Sequence, residues 1–329
     1  MKGAAFTIHN KTLIGYEIFR RYGTIIALII LIGFNIVVTP NFISWQTLNV
    51  NLTQVAGIII VATGMTLVIA TGGVDLSVGS LMAISGALAP IIFMGKWIAI
   101  SDPTAAVLLA IILPILIAGM FGLFNGYLIT RFGIQPIIAT LVLFIAGRGI
   151  AQVVTNGNLQ VFRNPQFQVI GLGRVAGIPV QVIIMIILVV MALFLIHKTV
   201  WGHRILSVGG NEKAAHLSGI PVARVKLLVY FLSGICSGIA GLVVIAINSS
   251  SDANLVGLGM ELDAIAAAAV GGTLLSGGRA YIGGTFIGAL IIQLVRYTLL
   301  ANGVPDAAAL VVKAGLIVFA VWLQGGMKR

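Results

Sequence analysis

Charge is what this chain has least of. Its 329 residues carry 19 Lys and Arg against 8 Asp and Glu, so 8% are charged, where a soluble domain holds about 25%. That scarcity excludes a water-soluble globular fold. Cysteine occurs once, at Cys236, which excludes an intrachain disulfide and leaves a small apolar residue to pack inside a helix. The four histidines, His9, His197, His203 and His216, have no metal-like spacing with cysteines or carboxylates. No Gly-x-x-x-x-Gly-Lys-Ser/Thr phosphate loop is present, so ATP is not bound here by that route. No nucleophile–base pair stands out. Acidic and histidine residues do not cluster within the apolar stretches as an ion-driven carrier requires. These absences argue against an enzyme and against a metal or other cofactor bound by this chain.

What is there is apolar: 59% hydrophobic residues and a mean hydropathy of +1.14. Ten apolar stretches stand out, at 22–39, 55–71, 78–94, 105–130, 134–154, 178–196, 227–247, 262–276, 281–301 and 307–323. Most approach the roughly 17–25 residues that span a bilayer as a helix. The expected fold is an all-α polytopic membrane bundle of about ten transmembrane helices, one permease-sized domain over 1–329. The first stretch lacks a small-residue cleavage site and reads as a retained helix behind a cytoplasmic segment, 1–21.

The net charge of +11 reports orientation. With the N-terminus inside, the inner segments collect thirteen of the nineteen basic residues: Lys2, Lys11, Arg20, Arg21, Arg131, Lys198, Arg204, Lys213, Arg224, Lys226, Arg279, Lys328 and Arg329. The positive-inside bias and an even span count place both termini in the cytoplasm. No nucleic-acid partner is implied.

One long polar interruption, 197–226, follows the sixth stretch and is therefore cytoplasmic. Asn211 is a good N-cap, and Glu212 sits where the helix dipole favours an anion. Gly219 suits a left-handed C-cap, and Pro221 stops the helix. The expected product is a two-turn helix, about 212–218, with small Ala214 and Ala215 allowing close approach of a partner.

Two glycine pairs break the apolar pattern. Gly72-Gly73 precedes Val74-Asp75-Leu76-Ser77, with Asp75 placed to cap the next helix. Gly271-Gly272 opens a segment sharing the pattern Gly-Gly-x-x-Leu-Ser-x-Gly with 72–79, compatible with a remote internal repeat. Such backbone breaks either line a pathway or form tight cytoplasmic turns. Glu261 and Asp263 open the eighth stretch, where the dipole alone favours carboxylates; the alternative reading makes them a substrate or ion site on the pathway. Arg148, Arg296 and Lys313 lie inside the outer ends of apolar stretches, either snorkelling to headgroups or lining a polar passage. Gln135, Gln152, Asn156 and Gln293 are uncharged candidates for the same passage or for interhelical hydrogen bonds.

Gly64-Met65-Thr66-Leu67-Val68-Ile69 leading to Gly73-Val74-Asp75-Leu76-Ser77-Val78-Gly79 resembles the signature of the permease subunits of bacterial monosaccharide ABC importers. So do Gly209-Gly210-Asn211-Glu212 through Leu217-Ser218-Gly219-Ile220, and Glu261-Leu262-Asp263-Ala264-Ile265-Ala266 with Gly271-Gly272-Thr273. The order holds from about 40 to 320. Within that family, Ile134-Gln135-Pro136 through Gln152 and Ser251-Asp252-Ala253-Asn254 look most like the galactofuranose importer's permease. The resemblance implies a pore-forming subunit in the bacterial inner membrane. Its implied partners are a second permease subunit, identical or related, a cytoplasmic ABC ATPase that binds ATP and Mg, a periplasmic sugar-binding protein, and membrane lipids. It also implies that 211–220 is the coupling helix, with Leu217 and Ile220 as apolar anchors and Glu212, Lys213 and Arg204 at the rim.

Overall fold

The computed structural model describes residues 23–97, 99–305, 307–315 and 318. The segment 1–21, Asp306, the end of the 307–323 stretch, Lys328 and Arg329 lie outside the described residues. Helices carry the chain: α1 (Gly23–Val38), α2 (Trp45–Ala70), α3 (Val78–Phe93), α4 (Pro103–Phe132), α5 (Pro136–Thr155), α6 (Pro165–Leu172), α7 (Val180–Lys198), α8 (Val200–Gly210), α9 (Glu212–Leu217), α10 (Val222–Asn248), α11 (Met260–Val270) and α12 (Ile282–Ala301). Residues 307–315 are also helical. Two short antiparallel ribbons complete it. β1 (Gln160–Val161) pairs with β4 (Ser250–Ser251), and β2 (Arg174–Val175) pairs with β3 (Ile178–Pro179).

Among the described residues six helices, α2, α4, α5, α7, α10 and α12, are long and apolar enough to cross a membrane. Among the described residues each of the ten expected stretches contains helix, but three of these helices are shorter than a full span. α1 is one of the shorter apolar helices, α3 has 16 residues and α11 only 11. In the other direction, α2 starts ten residues ahead of its apolar stretch. Ser44 caps it through the Thr47 amide, and Asn49 and Asn51 return their amides to the Trp45 and Thr47 carbonyls. Polar residues that satisfy the backbone locally extend a helix that hydropathy alone ends early.

α2 is apolar all round and is buried from Val55 to Ala70, as a helix without a polar face must be. It is surrounded by α7, α10, α11 and α12. By contrast α4, α5 and α7 turn large apolar side chains outward, Ile138, Val142 and Ile145 on α5 among them. In water such a surface aggregates; in hydrocarbon it faces its own solvent. The α4–α10 crossing is held close by glycine. A methyl group on Gly122 would meet the Tyr230 carbonyl, and one on Gly234 would meet that of Ala118, the small-residue packing of membrane interfaces.

Candidate functional site

Both glycine pairs end a helix in the same way. After α2, the Gly72 amide donates to the Ile69 carbonyl at 2.8 Å and the Gly73 amide to that of Val68 at 3.3 Å. After α11, the Gly272 amide donates to Ala269 at 2.9 Å and the Thr273 amide to Ala268 at 3.0 Å. These are Schellman terminations, and each needs its left-handed residue: Gly72 at φ +80° and Gly272 at φ +88°. The structural register is therefore Gly72 with Gly272, one position off the Gly72–Gly271 match that the letter pattern suggests. Letter identity followed the glycine pairs, whereas the fold aligns the residue that must adopt positive φ.

Asp75 lies in the turn between α2 and α3 and is fully buried. Its Oδ1 accepts from the Ser77 amide at 3.0 Å and the Ser77 hydroxyl at 2.6 Å. Its Oδ2 accepts from the Ser233 hydroxyl of α10 at 2.8 Å. Asn125 of α4 donates to Ser77 Oγ at 2.9 Å. Burying a carboxylate is costly unless it is hydrogen-bonded, and three donors offset that cost. Asp75 caps the turn ahead of α3 and not its first residue: the helix begins at Val78 with Ser77 in the cap position. The same knot ties α3 to α5, where Ser80 Oγ donates to the Leu143 carbonyl at 3.0 Å.

The two breaks and the base of α9 meet at glycine. The Gly278 amide donates to the Ala70 carbonyl at 3.0 Å. Gly209, one residue before the end of α8, lies so close that an added methyl would collide with the Ala70 carbonyl; a methyl on Gly277 would stand 2.8 Å from both the Gly209 carbonyl oxygen and the Gly72 amide nitrogen. The polar 201–226 segment thus touches both breaks by backbone alone.

α9 itself forms as expected. Asn211 Oδ1 accepts from the Ala214 amide at 3.0 Å, and Gly219 takes φ +79°. Ala214 and Lys213 are exposed, and Leu217 is 88% exposed. Ile220 differs from expectation, being partly buried against the bundle, as is Ala215, at 5% exposure. The helix needs an apolar foot on its own protein, and these two provide it. Glu212 is not free at the rim but paired with Lys226 at 2.7 Å. Arg204 lies 5.2 Å from the Trp201 ring centroid.

The remaining candidates separate into two groups. Arg148 Nη1 donates to the Ala253 and Val256 carbonyls at 2.8 and 2.6 Å, and Nη2 reaches the Gly79 carbonyl at 3.5 Å. Gln152, one turn on, donates to Asn254 at 2.7 Å. Lys313 pairs with Asp263 at 2.6 Å, and the charge of Arg296 also acts on Asp263. Arg148 and Lys313 therefore do not snorkel; they bind protein. Glu261, in the first turn of α11, lies beside Gly79. Outside this cluster, Gln135 precedes α5 at its N-cap, Gln293 donates to Gln54 at 2.8 Å, and Asn156 is the left-handed C-cap of α5. Ser233 and Asn125 escaped the sequence reading. The only trace of Asn125 was its place beside Gly122 and Gly126 on the close-packed face of α4.

Residues 48–321 match the protein family described as branched-chain amino acid transport system / permease component. The ribose import permease protein of Bacillus subtilis (strain 168) is 42% identical over 98% of both chains. The galactofuranose transporter permease protein of Escherichia coli (strain K12) is 37% identical, over 91% of this chain and 88% of its own. The L-arabinose ABC transporter permease protein of Azospirillum brasilense is 33% identical, over 93% and 88%. The likeness to the galactofuranose permease is thus shared with other sugar permeases, the ribose permease at higher identity. No solved structure matches the chain.

Proposed function

Because this chain belongs to the branched-chain amino acid transport system / permease component family, and is a multi-pass membrane protein, we propose that it forms one half of the pathway of an ATP-driven monosaccharide importer in the bacterial inner membrane. Ribose, galactofuranose and arabinose relatives at 33–42% identity support sugar as cargo. The other half is a second permease subunit, a copy or a relative. Work comes from a cytoplasmic ABC ATPase, which holds the ATP and Mg, and a periplasmic binding protein supplies the sugar. Both termini and α9 face the cytoplasm.

The observation that carries this reading is the glycine junction of Gly209 with Ala70, Gly72, Gly277 and Gly278. A cytoplasmic helix with a bare leucine follows Gly209, which is packed on the end of α2 at Ala70 and on Gly278 in the loop between α11 and α12. Force applied at α9 reaches both breaks through backbone contacts too tight to absorb it, because close-packed interiors transmit strain. Movement of α8 and α9 tilts α3 and α12 about Gly72 and Gly272, which gives alternating access.

The test is sugar uptake and ATPase co-purification with Ala214→Arg, on the exposed face of α9, and Gly219→Val, which forces a β-branched residue to positive φ at about 1–2 kcal/mol. Both variants should insert, lose uptake and retain less ATPase. Unchanged values for both would remove the coupling role. The family's description names branched-chain amino acids, whereas the relatives named above carry sugars; leucine should therefore leave labelled ribose uptake unchanged.

A further inference from the structure

α3 and α11 each cross only part of the bundle, and they start at the same place. A methyl on Gly79, the second residue of α3, would collide with the Gly257 carbonyl and stand 2.7 Å from Glu261 Oε2. Gly257, at φ +72°, is held equally close to the Gly79 carbonyl. From this junction α3 runs to Phe93, which packs on Phe162 and Phe167 beside the β1–β4 ribbon. α11 runs the other way, to Val270, whose carbonyl accepts from the Thr24 hydroxyl at the start of α1 at 3.1 Å. At 1.5 Å per residue, the 16 and 11 residues are roughly 24 and 16 Å long. Two helix N-termini therefore converge at one buried point within the bundle.

A convergence of helix ends is not a site without a group aimed at a ligand, and Glu261 is such a group. It is 7% exposed, and its Oε2 has no hydrogen-bond partner among the described residues. Its neighbour in sequence, Asp263, has solved the same problem with Lys313. Arg148 lies near enough for its charge to act on Glu261, yet its hydrogens go to the Ala253, Val256 and Gly79 carbonyls. That arrangement fixes the loop and leaves the carboxylate oxygen unused. Toward the outer end of α5 the polar groups continue as Gln152, Asn254 and Asp252, linked by hydrogen bonds at 2.7 and 3.0 Å.

We propose that Glu261, at the shared start of α3 and α11, accepts hydrogen bonds from the hydroxyl groups of a neutral polyol crossing the membrane. The proposal rests on the sugar reading above. A neutral polyol suits the site better than a cation, because the Arg148 charge opposes a cation and no group of three or more acids, histidines or cysteines is gathered among the described residues. Asp252, Asn254 and Gln152 mark the outer approach.

The experiment uses the intact complex of permease, ATPase and binding protein in proteoliposomes, with labelled D-ribose and D-galactose as probes. Uptake and binding-protein-stimulated ATP hydrolysis are measured for wild type, Glu261→Gln and Glu261→Leu. Losing the acceptor should cut uptake about tenfold in Glu261→Leu and about threefold in the isosteric Glu261→Gln. Hydrolysis should fall less, so that ATP spent per sugar rises in the same order. Uptake at the wild-type ratio in both variants overturns the proposal. So does a parallel loss of uptake and hydrolysis in both, which marks a structural role, or uptake that needs a sodium or proton gradient, which marks a cation site. Failure of the wild-type complex to import either sugar would instead count against the cargo reading itself.

Discussion

The Ser233 hydroxyl of α10 donates to Asp75 Oδ2 at 2.8 Å, joining residues 158 positions apart. This bond anchors the re-entrant turn that precedes α3 to α10. Ser233→Ala strips one donor from a buried carboxylate and should cost about 1–3 kcal/mol. Asp75→Asn keeps one acceptor oxygen for Ser77 and turns an amide donor to the Ser233 hydroxyl, which rotates to accept, and should cost less. Asp75→Leu leaves the Ser77 and Ser233 hydroxyls without it and should cost most. Thermal midpoints of the detergent-purified permease give the order; an Asp75→Leu protein as stable as wild type would remove the knot from the account.

The Lys313–Asp263 pair is partly buried on both sides. Removing one partner of a buried pair is worse than removing both. Lys313→Met should cost about 2–4 kcal/mol, at the lower side because some exposure remains. Adding Asp263→Asn should recover part of that loss. A double-mutant cycle with no coupling energy would show that the pair is incidental.

Gly209 tests transmission. An added methyl there meets the Ala70 carbonyl, so Gly209→Ala must push α8 off the α2 break. Gly283 has nothing within 4 Å of the same position and is the matched control. Sugar uptake should fall about tenfold or more in Gly209→Ala, for an unfavourable contact of about 1–3 kcal/mol, while ATPase still co-purifies. Equal uptake in the Gly209→Ala and Gly283→Ala proteins would mean that the junction carries no force.

Much of this arrangement was legible in the amino acids, for identifiable reasons. Hydrophobic run length marked the helices, because the bilayer sets it. Asn211, Glu212, Gly219 and Pro221 bounded α9 through local capping chemistry. Long-range matters were not legible. Ile220 looks like a partner anchor until the bundle beside it is seen. The register of Gly72 with Gly272 depends on which residue takes positive φ, and a run of two glycines hides that choice. By sequence alone Arg148 and Lys313 could snorkel or line a polar passage; the carbonyls of Ala253 and Val256 and the carboxylate of Asp263 hold them inside the protein. Ser233 and Asn125 carried no motif at all, since their partner is remote in the chain.

The central claim, that α9 faces the cytoplasm and is covered by a separate ATPase, has a direct probe. Cys236 is the single native cysteine and is buried, so Leu217→Cys introduces one reactive thiol on an 88% exposed position. A membrane-impermeant maleimide should label it in inside-out vesicles, should fail to do so in intact cells, and should be blocked when the ATPase is bound. Labelling from outside intact cells, or labelling indifferent to the ATPase, would show that this helix is not where the work enters.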